Sequence, residues 1–298
     1  MGIIIDKDTT VIVQGITGNE GRFHTAAMLR YGTEIVAGVT PGKRGQQVEG
    51  VPVYDTIAEA IANHNANTSI IFVPARFAPS AVLEAIEAGI KTLVVITELI
   101  PQKDAIEFIA RASQKGIIIV GPNTAGVINP VDRAHVGIMP AHIFRPGSIA
   151  LISRSGTLTY EIAWHISNSG LGQSICVGLG GDAIIGLDFV TLLEMLARDE
   201  ETKGIVLIGE IGSNMEELAA HYIHEKKYSK PVVAYIAGRT APPEKRMGHA
   251  GAIISGDFGT AKSKIDAFTA VGVPVAEKPS DIPKLLTKLL KTVPNPHE

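Results

Sequence analysis

Apolar residues along the first half of the chain follow two alternating periods. Short runs rich in β-branched residues, typical of buried strands, alternate with longer stretches that have apolar positions at helical spacing. The strand-like runs cover 10–14, 34–39, 69–73, 92–97 and 116–120, and the helical patterns cover 23–29, 56–63, 78–88 and 102–115. Such an alternation predicts a parallel sheet with helices on both faces. We therefore predict a doubly wound, Rossmann-like α/β domain over residues 1–123.

The second half repeats this alternation after an irregular join. Residues 121–147 are rich in glycine and proline and have no clear period, so we predict a linker at 124–147. Beyond it, strand-like runs cover 148–152, 174–179, 204–208 and 231–237, and helical patterns cover 157–167, 188–198, 214–226, 260–271 and 280–291. A second parallel α/β domain, flavodoxin-like in outline, is predicted over 148–298.

Composition excludes several classes of function. With 298 residues, of which 45% are hydrophobic and 19% charged, the chain can bury two cores, so global disorder is excluded. A formal net charge of −3 offers no field for nucleic acid or an anionic membrane. The single cysteine, Cys176, cannot form an internal disulfide, and no apolar run approaches the length of a membrane span. We expect a soluble, cytoplasmic protein, or a mitochondrial matrix protein in a eukaryote, with no presequence visible.

A glycine turn follows the first predicted strand. Gly15, Gly18 and Gly21 have the spacing Gly-x-x-Gly-x-x-Gly, which differs from the Gly-x-Gly-x-x-Gly of nicotinamide binders. Glycines between a strand and a helix still allow a phosphate to reach the free amides of the helix. The sequence therefore predicts a phosphate-binding turn at this position.

The turn after the second predicted strand carries cations in place of the acidic residue that binds a free ribose. Lys43 and Arg44 lie between Gly42 and Gly45, where an NAD-binding domain has Asp or Glu. Two cations suit a phosphorylated ribose, as in NADP or coenzyme A. An exposed basic turn without a ligand is the remaining alternative.

A histidine among small residues lies beyond the strand predicted at 231–237. His249 is flanked by Gly248 and Ala250, which leave its ring uncovered. Glu210 follows the strand predicted at 204–208, so it would lie at the same sheet edge, where ligands of open α/β sheets bind. A carboxylate there can fix the tautomer of a histidine and leave its other ring nitrogen free as a nucleophile. The alternatives are a loop histidine without a role and a solvated acid. The loop before the histidine also carries three cations, Arg239, Lys245 and Arg246.

Another strand-to-helix turn in the second half can bind an anion. Ser155, Gly156 and Thr157 follow a predicted strand directly and begin a predicted helix. Such a start offers free amides, hydroxyls and the positive end of the helix dipole. A well-capped helix without a ligand is the alternative.

These segments together resemble the alpha subunits of succinyl-CoA synthetase (succinate–CoA ligase) over nearly the whole chain. The resemblance is carried by Val13-Gln-Gly-Ile-Thr-Gly, Gly38-Val-Thr-Pro-Gly-Lys43, Ile96-Thr-Glu98, Ser153-Arg-Ser-Gly-Thr-Leu-Thr-Tyr-Glu161, Gly178-Leu-Gly-Gly-Asp182, Ile208-Gly-Glu-Ile-Gly212 and Arg246-Met-Gly-His-Ala-Gly-Ala-Ile253. It implies an N-terminal Rossmann-like CoA-binding domain followed by a flavodoxin-like ligase domain that carries a phosphohistidine loop.

The resemblance also implies roles for individual residues. His249 would be phosphorylated during turnover, with Glu210 bonded to its imidazole. The residues Ser155, Gly156 and Thr157 would begin the helix that binds the phosphoryl group, and Tyr160 would lie at the substrate carboxylate. Coenzyme A would bind the first domain at Thr17, Gly18, Asn19, Glu20, Lys43, Ile96, Thr97 and Glu98.

The implied reaction needs a second subunit. It is the reversible formation of succinyl-CoA from succinate, CoA and a nucleoside triphosphate in the citric acid cycle, through succinyl phosphate. No Gly-x-x-x-x-Gly-Lys-[Ser/Thr] segment occurs. His221 and His224 lie three residues apart on a predicted helix and could chelate a metal, but such a pair is more often a solvated face, so we predict no metal in this chain. In the family, a beta subunit with an ATP-grasp fold supplies the site for ATP or GTP and Mg²⁺. We expect that partner, in an αβ heterodimer or an α2β2 assembly, with succinate, CoA and phosphate as ligands.

The chain departs from the family pattern at a few positions. Thr124 and Ala125 replace Cys-Pro in Gly-Pro-Asn-Cys-Pro-Gly, and Leu99 replaces the glycine that follows Ile-Thr-Glu. Ala183 and Ile185 stand where prolines often follow Gly-Gly-Asp. Malate–CoA ligases share the framework, so a malate–CoA ligase alpha subunit is an alternative function. A non-catalytic CoA-binding module and an NADP-dependent oxidoreductase are the others.

Overall fold

The polypeptide forms two units. The computed structural model describes residues 3–242, 247–254 and 259–292. The first unit comprises the chain up to Ala141 together with Ile184–Leu187, and the second comprises His142–Ala183 and the chain from Asp188 onward. Two of the cations noted in the sequence, Lys245 and Arg246, lie outside the described residues.

The first unit has the strand order of a dinucleotide-binding fold. Its strands are β1 (Thr10–Gln14), β2 (Glu34–Val39), β3 (Gln47–Val48), β4 (Val51–Tyr54), β5 (Thr68–Ile71), β6 (Thr92–Val95), β7 (Ile118–Val120), β8 (Gly126–Asn129) and β9 (Ala134–Gly137), and its helices are α1 (Asn19–Tyr31), α2 (Ile57–Asn63), α3 (Ala78–Glu87) and α4 (Gln102–Gln114). The sheet order is β3-β4-β2-β1-β5-β6-β7, with every pair parallel except β3–β4. Apart from β3 this is the order 3-2-1-4-5-6 of the Rossmann fold.

Burial in this unit follows from helices on both faces of the sheet. All four residues of β5 and of β6 are buried, as expected for parallel strands covered on both sides. Helix α4 buries Ala105, Phe108 and Ala112, which lie on one stripe at helical spacing. The hydrophobic periodicity that predicts these elements therefore also defines the core.

The range predicted as a linker, 124–147, differs in the structure, because it contains an antiparallel hairpin of β8 and β9. Its glycines allow two backbones to approach closely. A Cβ at Gly126 would lie 2.3 Å from the carbonyl oxygen of Val136, and one at Gly137 would lie 2.4 Å from that of Ala125. Glycine enrichment, which in the sequence indicates irregular chain, here reflects tight strand pairing. The first unit consequently extends to Ala141.

The second unit contains five parallel strands that form a flavodoxin-like sheet. They are β10 (Pro146–Ser153), β11 (Gln173–Gly178), β12 (Gly204–Glu210), β13 (Val232–Ala237) and β14 (Val275–Ala276), with helices α5 (Gly156–Asn168), α6 (Phe189–Ala197), α7 (Met215–Glu225), α8 (Ala261–Ala270) and α9 (Ile282–Leu290). Their order, β14-β13-β12-β10-β11, corresponds to 2-1-3-4-5. The predicted fold class is confirmed. Among the described residues, no helix combines the length and apolar character needed to cross a bilayer.

Candidate functional site

The second unit has a topological switch point between β10 and β12. From β10 the chain crosses to β11 on one side, whereas β12 pairs with β10 on the other side. Loops that leave the carboxyl ends of β10 and β12 therefore diverge, and such a divergence creates a ligand crevice. Ser153 at the end of β10 pairs with Ile208 of β12. Arg154 and Glu210 consequently lie side by side at this edge of the sheet.

His249 contacts Glu210 at this edge. Its Nδ1 lies 3.0 Å from both carboxylate oxygens of Glu210, and the side chains are 30% and 9% exposed. Both atoms nearest to Nδ1 are acceptors, so we assign the proton of the neutral imidazole to Nδ1. The lone pair is then on Nε2, which is the nitrogen available for reaction with an electrophile.

Glu210 also changes the titration of the histidine. The hydrogen bond to Glu210 raises the pKa of the His249 imidazole above its ordinary value of 6.5. Burial of the ring and the charge of Arg154 oppose this rise, whereas the charges of Glu210 and Asp182 add to it. The carboxylate therefore both orients the ring and makes it more basic.

The ring of His249 lies against the backbone of Gly181. A Cβ at position 181 would lie 2.5 Å from Cγ and Cδ2 of the imidazole. The loop is anchored there, because the amide of Gly251 donates to the carbonyl of Gly181 at 3.1 Å. The amide of Ala252 donates to the carbonyl of His249 at 3.1 Å and closes the turn. The Gly180-Gly181 pair after β11 is thus part of the histidine site.

Arg154 is a buried member of the site that was not singled out from the sequence. Its Nη1 donates to the carbonyl oxygens of Glu210 and Gly212 at 3.2 and 3.1 Å and to the carboxylate of Glu216 at 3.0 Å. Its Nη2 lies 3.5 Å from Oε1 of Glu210. A guanidinium with several donors in a fixed plane suits this position between two strand ends.

Glu216 and Lys264 form an ion pair behind Arg154. Lys264 Nζ lies 2.5 Å from Oε2 of Glu216, 2.8 Å from the carbonyl oxygen of Ser213 and 2.9 Å from Oε2 of Glu217. Both Glu216 and Lys264 are 0% exposed. Glu216 Oε1 also accepts from the backbone amide of Glu210 at 3.0 Å. It lies over Gly209, where a Cβ would be 2.6 Å from the same oxygen.

The start of α5 reaches the same sheet edge, because it follows β10 after two residues. Ser155 caps the helix by accepting from the amide of Leu158 at 3.5 Å, and Gly156 and Thr157 form its first positions. Tyr160 lies in the next turn, where burial raises the pKa of its phenol. No hydrogen bond joins these residues to His249 in the described part of the chain. The start of α5 therefore reaches the edge where His249 lies, without a hydrogen bond between them in the described residues.

The glycine turn of the first unit leaves a helix start open. Gly15 has φ +79°, and a Cβ at Gly21 would lie 2.2 Å from the carbonyl oxygen of Gly15, so the turn is tight. Gly18 is the N-cap of α1 and gives it no side-chain cap, so an external acceptor can reach the first amides. The hydroxyls of Thr17 and Thr40 lie 3.2 Å apart and bring the two predicted phosphate turns together. Asn19 and Glu20 in the first turn are exposed.

The two cations of the second turn have different surroundings. The backbone amides of Lys43 and Arg44 both donate to Oδ1 of Asp55, at 3.0 and 3.1 Å. Arg44 also pairs with Glu59 at 3.2 Å. Within the described residues, the ammonium of Lys43 has no carboxylate partner. Lys43 is therefore the better placed of the two to bind an anionic ligand.

The carboxyl end of β6 contains the remaining predicted ligand residues. The Thr97 hydroxyl donates to the carbonyl of Val73 at 2.7 Å, which joins the ends of β5 and β6. Ile96 is half-buried, and Glu98 is exposed. Leu99 has φ +61° and is 68% exposed. Its backbone is in the left-handed region that favours glycine.

Known proteins match the chain over almost its whole length. It is 56% identical over 290 residues to a protein of Archaeoglobus fulgidus called succinate–CoA ligase [ADP-forming] subunit alpha 2, covering 97% of this chain and 100% of that one. It is 53% identical over 295 residues to the corresponding subunit alpha of Aquifex aeolicus, covering 98% and 96%. The chain belongs to the succinate–CoA ligase alpha-subunit family. The resemblance predicted from the sequence is confirmed.

Two family models match different halves of this ligase subunit. The CoA binding domain model matches residues 6–99, and the CoA-ligase model matches residues 152–273. The first range includes the open start of α1 and Lys43. The second includes the Arg154, Glu210 and His249 cluster. Each candidate site of the ligase subunit thus lies within one of the two models.

Solved structures share the fold of the ligase subunit. ATP citrate lyase from Methanothrix soehngenii, in complex with citrate and coenzyme A, superposes with a TM-score of 0.86 at 26% identity. The match covers 96% of this chain and 50% of that one, so the ligase subunit spans half the length of the lyase. Acetyl-coenzyme A synthetase 1 of Ca. Korarchaeum cryptofilum superposes with a TM-score of 0.74 at 23% identity, which shows the fold alone.

Two departures of this ligase subunit from the family pattern have visible structural consequences, one favourable and one unfavourable. The hydroxyl of Thr124 accepts from the amide of Gly126 at 2.9 Å, so it stabilises the turn into β8. Leu99 occupies a left-handed position without any requirement for a side chain, which is why glycine suits that position. Among the described residues, no group of three or more His, Cys, Asp and Glu side chains is placed to hold a metal ion.

Proposed function

We propose that the chain is the alpha subunit of an ADP-forming succinate–CoA ligase in which His249 carries the phosphoryl group. One observation carries the proposal: both oxygens of Glu210 lie 3.0 Å from Nδ1 of His249. This arrangement leaves Nε2 as the nucleophile and stabilises positive charge on the ring as Nε2 forms a bond. The names of the relatives support the reaction and ATP as its nucleotide.

The proposed chemistry has two phosphoryl transfers at Nε2. In the direction of succinyl-CoA synthesis, Nε2 first attacks the γ-phosphorus of ATP, the bond from that phosphorus to the bridging oxygen breaks, and ADP leaves. A carboxylate oxygen of succinate then attacks the phosphorus and the bond to Nε2 breaks, which restores the imidazole and forms succinyl phosphate. The thiolate of coenzyme A finally attacks the carbonyl carbon of succinyl phosphate, and phosphate leaves. The two phosphoryl transfers depend on position and positive potential more than on covalent help from the protein.

Two features of the described residues supply positive potential at this edge. The start of α5, with Ser155, Gly156 and Thr157, presents free amides and the positive end of the helix dipole. Arg154 adds a buried guanidinium beside Glu210. We assign the phosphoryl group to the α5 start and the succinate carboxylate to the region of Tyr160, as the family resemblance implies.

Coenzyme A is proposed to bind the first unit. The uncapped start of α1, with Thr17, Gly18, Asn19 and Glu20, suits its pyrophosphate, because the amides there lack a side-chain acceptor. Lys43 suits the 3′-phosphate of its ribose. The segment of Ile96, Thr97 and Glu98 would border the rest of the molecule at the end of β6.

A beta subunit completes the proposed enzyme. An alpha subunit implies a partner, and the partner we propose has an ATP-grasp fold that binds the nucleotide with Mg²⁺. An αβ heterodimer or an α2β2 assembly in the cytoplasm is the expected form. The proposed domain limits are 1–123 for the CoA-binding domain and 148–298 for the ligase domain.

Labelling of His249 tests this function. The chain, co-purified with its beta subunit, is incubated with γ-labelled ATP and separately with GTP, and acid-labile, alkali-stable phosphate is sought on His249. Succinate with CoA, and in a parallel sample malate with CoA, is then added. The proposal predicts label from ATP, discharge by succinate, and none in His249→Asn. If neither nucleotide labels His249, or if only malate discharges the label, the proposal is contradicted.

A further inference from the structure

Four buried charged side chains form a continuous series that ends at His249. Lys264 of α8 pairs with Glu216 of α7 at 2.5 Å, and Glu216 pairs with Arg154 at 3.0 Å. Arg154 lies 3.5 Å from Glu210, and Glu210 lies 3.0 Å from Nδ1 of His249. The signs alternate from the lysine to the last carboxylate. We call this series the buried charge chain.

Burial of these charges has a large desolvation cost. Stability of the fold alone therefore does not explain why the four charged residues are present. The side chains of Lys264 and Glu216 are 0% exposed and that of Arg154 is 1% exposed. Buried ion pairs often stabilise a fold no better than hydrophobic residues of the same volume. These pairs lead to one partly exposed histidine. We therefore expect that they serve to orient the imidazole of that histidine.

Arg154 is shared unequally between two carboxylates. Its Nη1 contacts Oε1 of Glu216 at 3.0 Å, whereas its Nη2 lies 3.5 Å from Oε1 of Glu210. Lys264 holds the other oxygen of Glu216 at 2.5 Å, so the Glu216 carboxylate cannot rotate away from the guanidinium. Glu210 is thereby left with both oxygens on the imidazole of His249.

We propose that Glu216 and Lys264 are positioning residues for the reaction at His249, because they keep Arg154 mainly on Glu216 and so limit its contact with the Glu210 carboxylate. Glu216 acts twice, since its Oε1 also accepts the backbone amide of Glu210 at 3.0 Å. The effect on turnover rests on the proposed phosphorylation of His249. The effect on the imidazole itself does not, and it is measurable without substrates.

The decisive variant is Glu216→Gln in the full-length chain. The neutral amide attracts the guanidinium less than the carboxylate does, so Arg154 shifts towards Glu210 and competes with His249 for its oxygens. Imidazole signals from ¹⁵N-histidine labelling report the titration of His249, assigned by the signal missing from His249→Asn. Among the described residues, Glu210, Arg154 and Asp182 are the charged groups that act on this ring. We expect the pKa of His249 to fall by about one unit in the variant.

The same variant is then assayed with the beta subunit. We expect kcat to fall about 10- to 100-fold, in the range seen when a partner that orients a reacting group is removed. The KM for coenzyme A should stay unchanged, because its proposed residues lie in the other unit. A fall in kcat with an unchanged titration of His249 would overturn the proposal, and so would an unchanged kcat with a lowered pKa.

Glu217→Gln is the matched control. Glu217 also pairs with Lys264, at 2.9 Å, but Arg154 has no bond to it in the described structure. We expect wild-type titration of His249 and wild-type kcat. An equal loss in this control would show that any disturbance of Lys264 suffices, which contradicts a route through Arg154.

Two further variants separate positioning from folding. In a Glu210→Gln background, Glu216→Gln should cause no additional change in the pKa of His249, because its effect passes through Glu210.

Glu216→Met combined with Lys264→Met removes both charges of the pair and preserves packing. This double variant should fold, by its thermal transition, and still show the lowered pKa and kcat. Wild-type values in the folded double variant would refute the proposal. If the wild-type enzyme never phosphorylates His249, the proposed function fails while the titrations still decide this inference.

Discussion

The imidazole of His249 lies on the backbone of Gly181, in the space that any other side chain there would occupy. A Cβ at 181 would be 2.5 Å from Cγ and Cδ2 of the ring and 2.9 Å from Nδ1. These distances are well inside van der Waals contact, and the second glycine of Leu-Gly-Gly-Asp is therefore a requirement of the histidine. The missing side chain at position 181 leaves room for Nδ1, the ring atom that Glu210 also contacts.

Gly181→Ala should consequently displace the ring of His249 and not merely crowd it. The ring must move to admit the methyl group, so Nδ1 loses its alignment with Glu210 and Nε2 leaves its position for attack. A displacement of about 1 Å can lower a rate about 100-fold. Phosphorylation of His249 by ATP in the presence of the beta subunit is the measurement. Binding of coenzyme A should be retained, and full-rate phosphorylation would show that the loop adapts.

The raised pKa of His249 predicts the pH range over which its bond to Glu210 stabilises the fold. The unfolded chain binds the proton near the ordinary value of 6.5, and the folded chain binds it above that value. The contribution is therefore complete below pH 6.5 and is lost as the pH rises through the folded-state pKa. Urea unfolding of wild type and His249→Asn should differ more at about pH 6 than at about pH 9.

An exposed histidine provides the control for that measurement. His221 lies 3.5 Å from Glu225 on α7, with side chains 73% and 57% exposed. Exposed pairs contribute little to stability. His221→Asn should therefore change the unfolding free energy little at either pH, and a pH-dependent loss as large as that of His249→Asn would contradict the explanation.

His135 should make the chain sensitive to acid. It is 1% exposed in β9, and burial, with a smaller effect of His24, lowers its pKa to about 4. The unfolded chain binds a proton near 6.5 and the folded chain only near 4, so stability falls as the pH decreases between those values. The loss approaches about 3 kcal/mol, at 1.36 kcal/mol per unit. In His135→Leu this part of the pH dependence should disappear, as measured by urea unfolding from about pH 7 to about pH 4.

Lys43 and Arg44 should contribute differently to coenzyme A binding. Arg44 is already paired with Glu59, whereas Lys43 has no carboxylate partner in the described structure. Lys43→Ala is expected to weaken binding about tenfold, equivalent to ~1.4 kcal/mol, and Arg44→Ala less. Calorimetry with 3′-dephospho-CoA supplies the control, because the loss in Lys43→Ala should vanish with that ligand. An equal loss of affinity with both ligands would show that Lys43 does not bind the 3′-phosphate.

Leu99→Gly should stabilise the first unit. Leu99 has φ +61° and is largely exposed, so its side chain gains little burial to offset the left-handed backbone. Relief of about 1–2 kcal/mol of strain exceeds the extra chain entropy of glycine. The unfolding free energy should rise by roughly 0.5–1 kcal/mol. Leu99→Ala keeps the left-handed backbone and its strain, so its free energy of unfolding should change little. An equal gain in that variant would show that the leucine side chain, and not the backbone, is the source of the strain.

The order of strands and helices could be predicted because each long element has its own hydrophobic period. Helix α4, predicted over 102–115, is observed as Gln102–Gln114. The strands β3, β4 and β14 and the hairpin of β8 and β9 were not predicted, since short strands, and strands with glycine, proline or polar residues, resemble irregular chain. Their position depends on contacts that are distant in sequence. The hydroxyl of Thr33, for example, donates to the carbonyl of His135 and accepts from the amide of the same residue.

The candidate site could be predicted in part for the same reason. His249 and Glu210 follow strong strand signals, and parallel topology brings such positions to one edge. Glu216 and Lys264 were missed because charged residues on helices usually face solvent. A signal was present, however. Lys264 lies in register with Ala261 and Phe268 on the buried stripe of α8, and Glu216 begins the buried stripe of α7.

The carboxylate of Glu216 lies where a side chain at position 209 would be, 2.6 Å from the Cβ that Gly209 lacks. The two positions are consequently epistatic. A larger residue at 209 is incompatible with glutamate at 216, and removal of the glutamate first leaves Lys264 and Arg154 with fewer partners in the core. A path from this arrangement to an apolar one therefore passes through single variants that are less stable than either end. The charges behind the histidine are consequently expected to be replaced together and not one at a time.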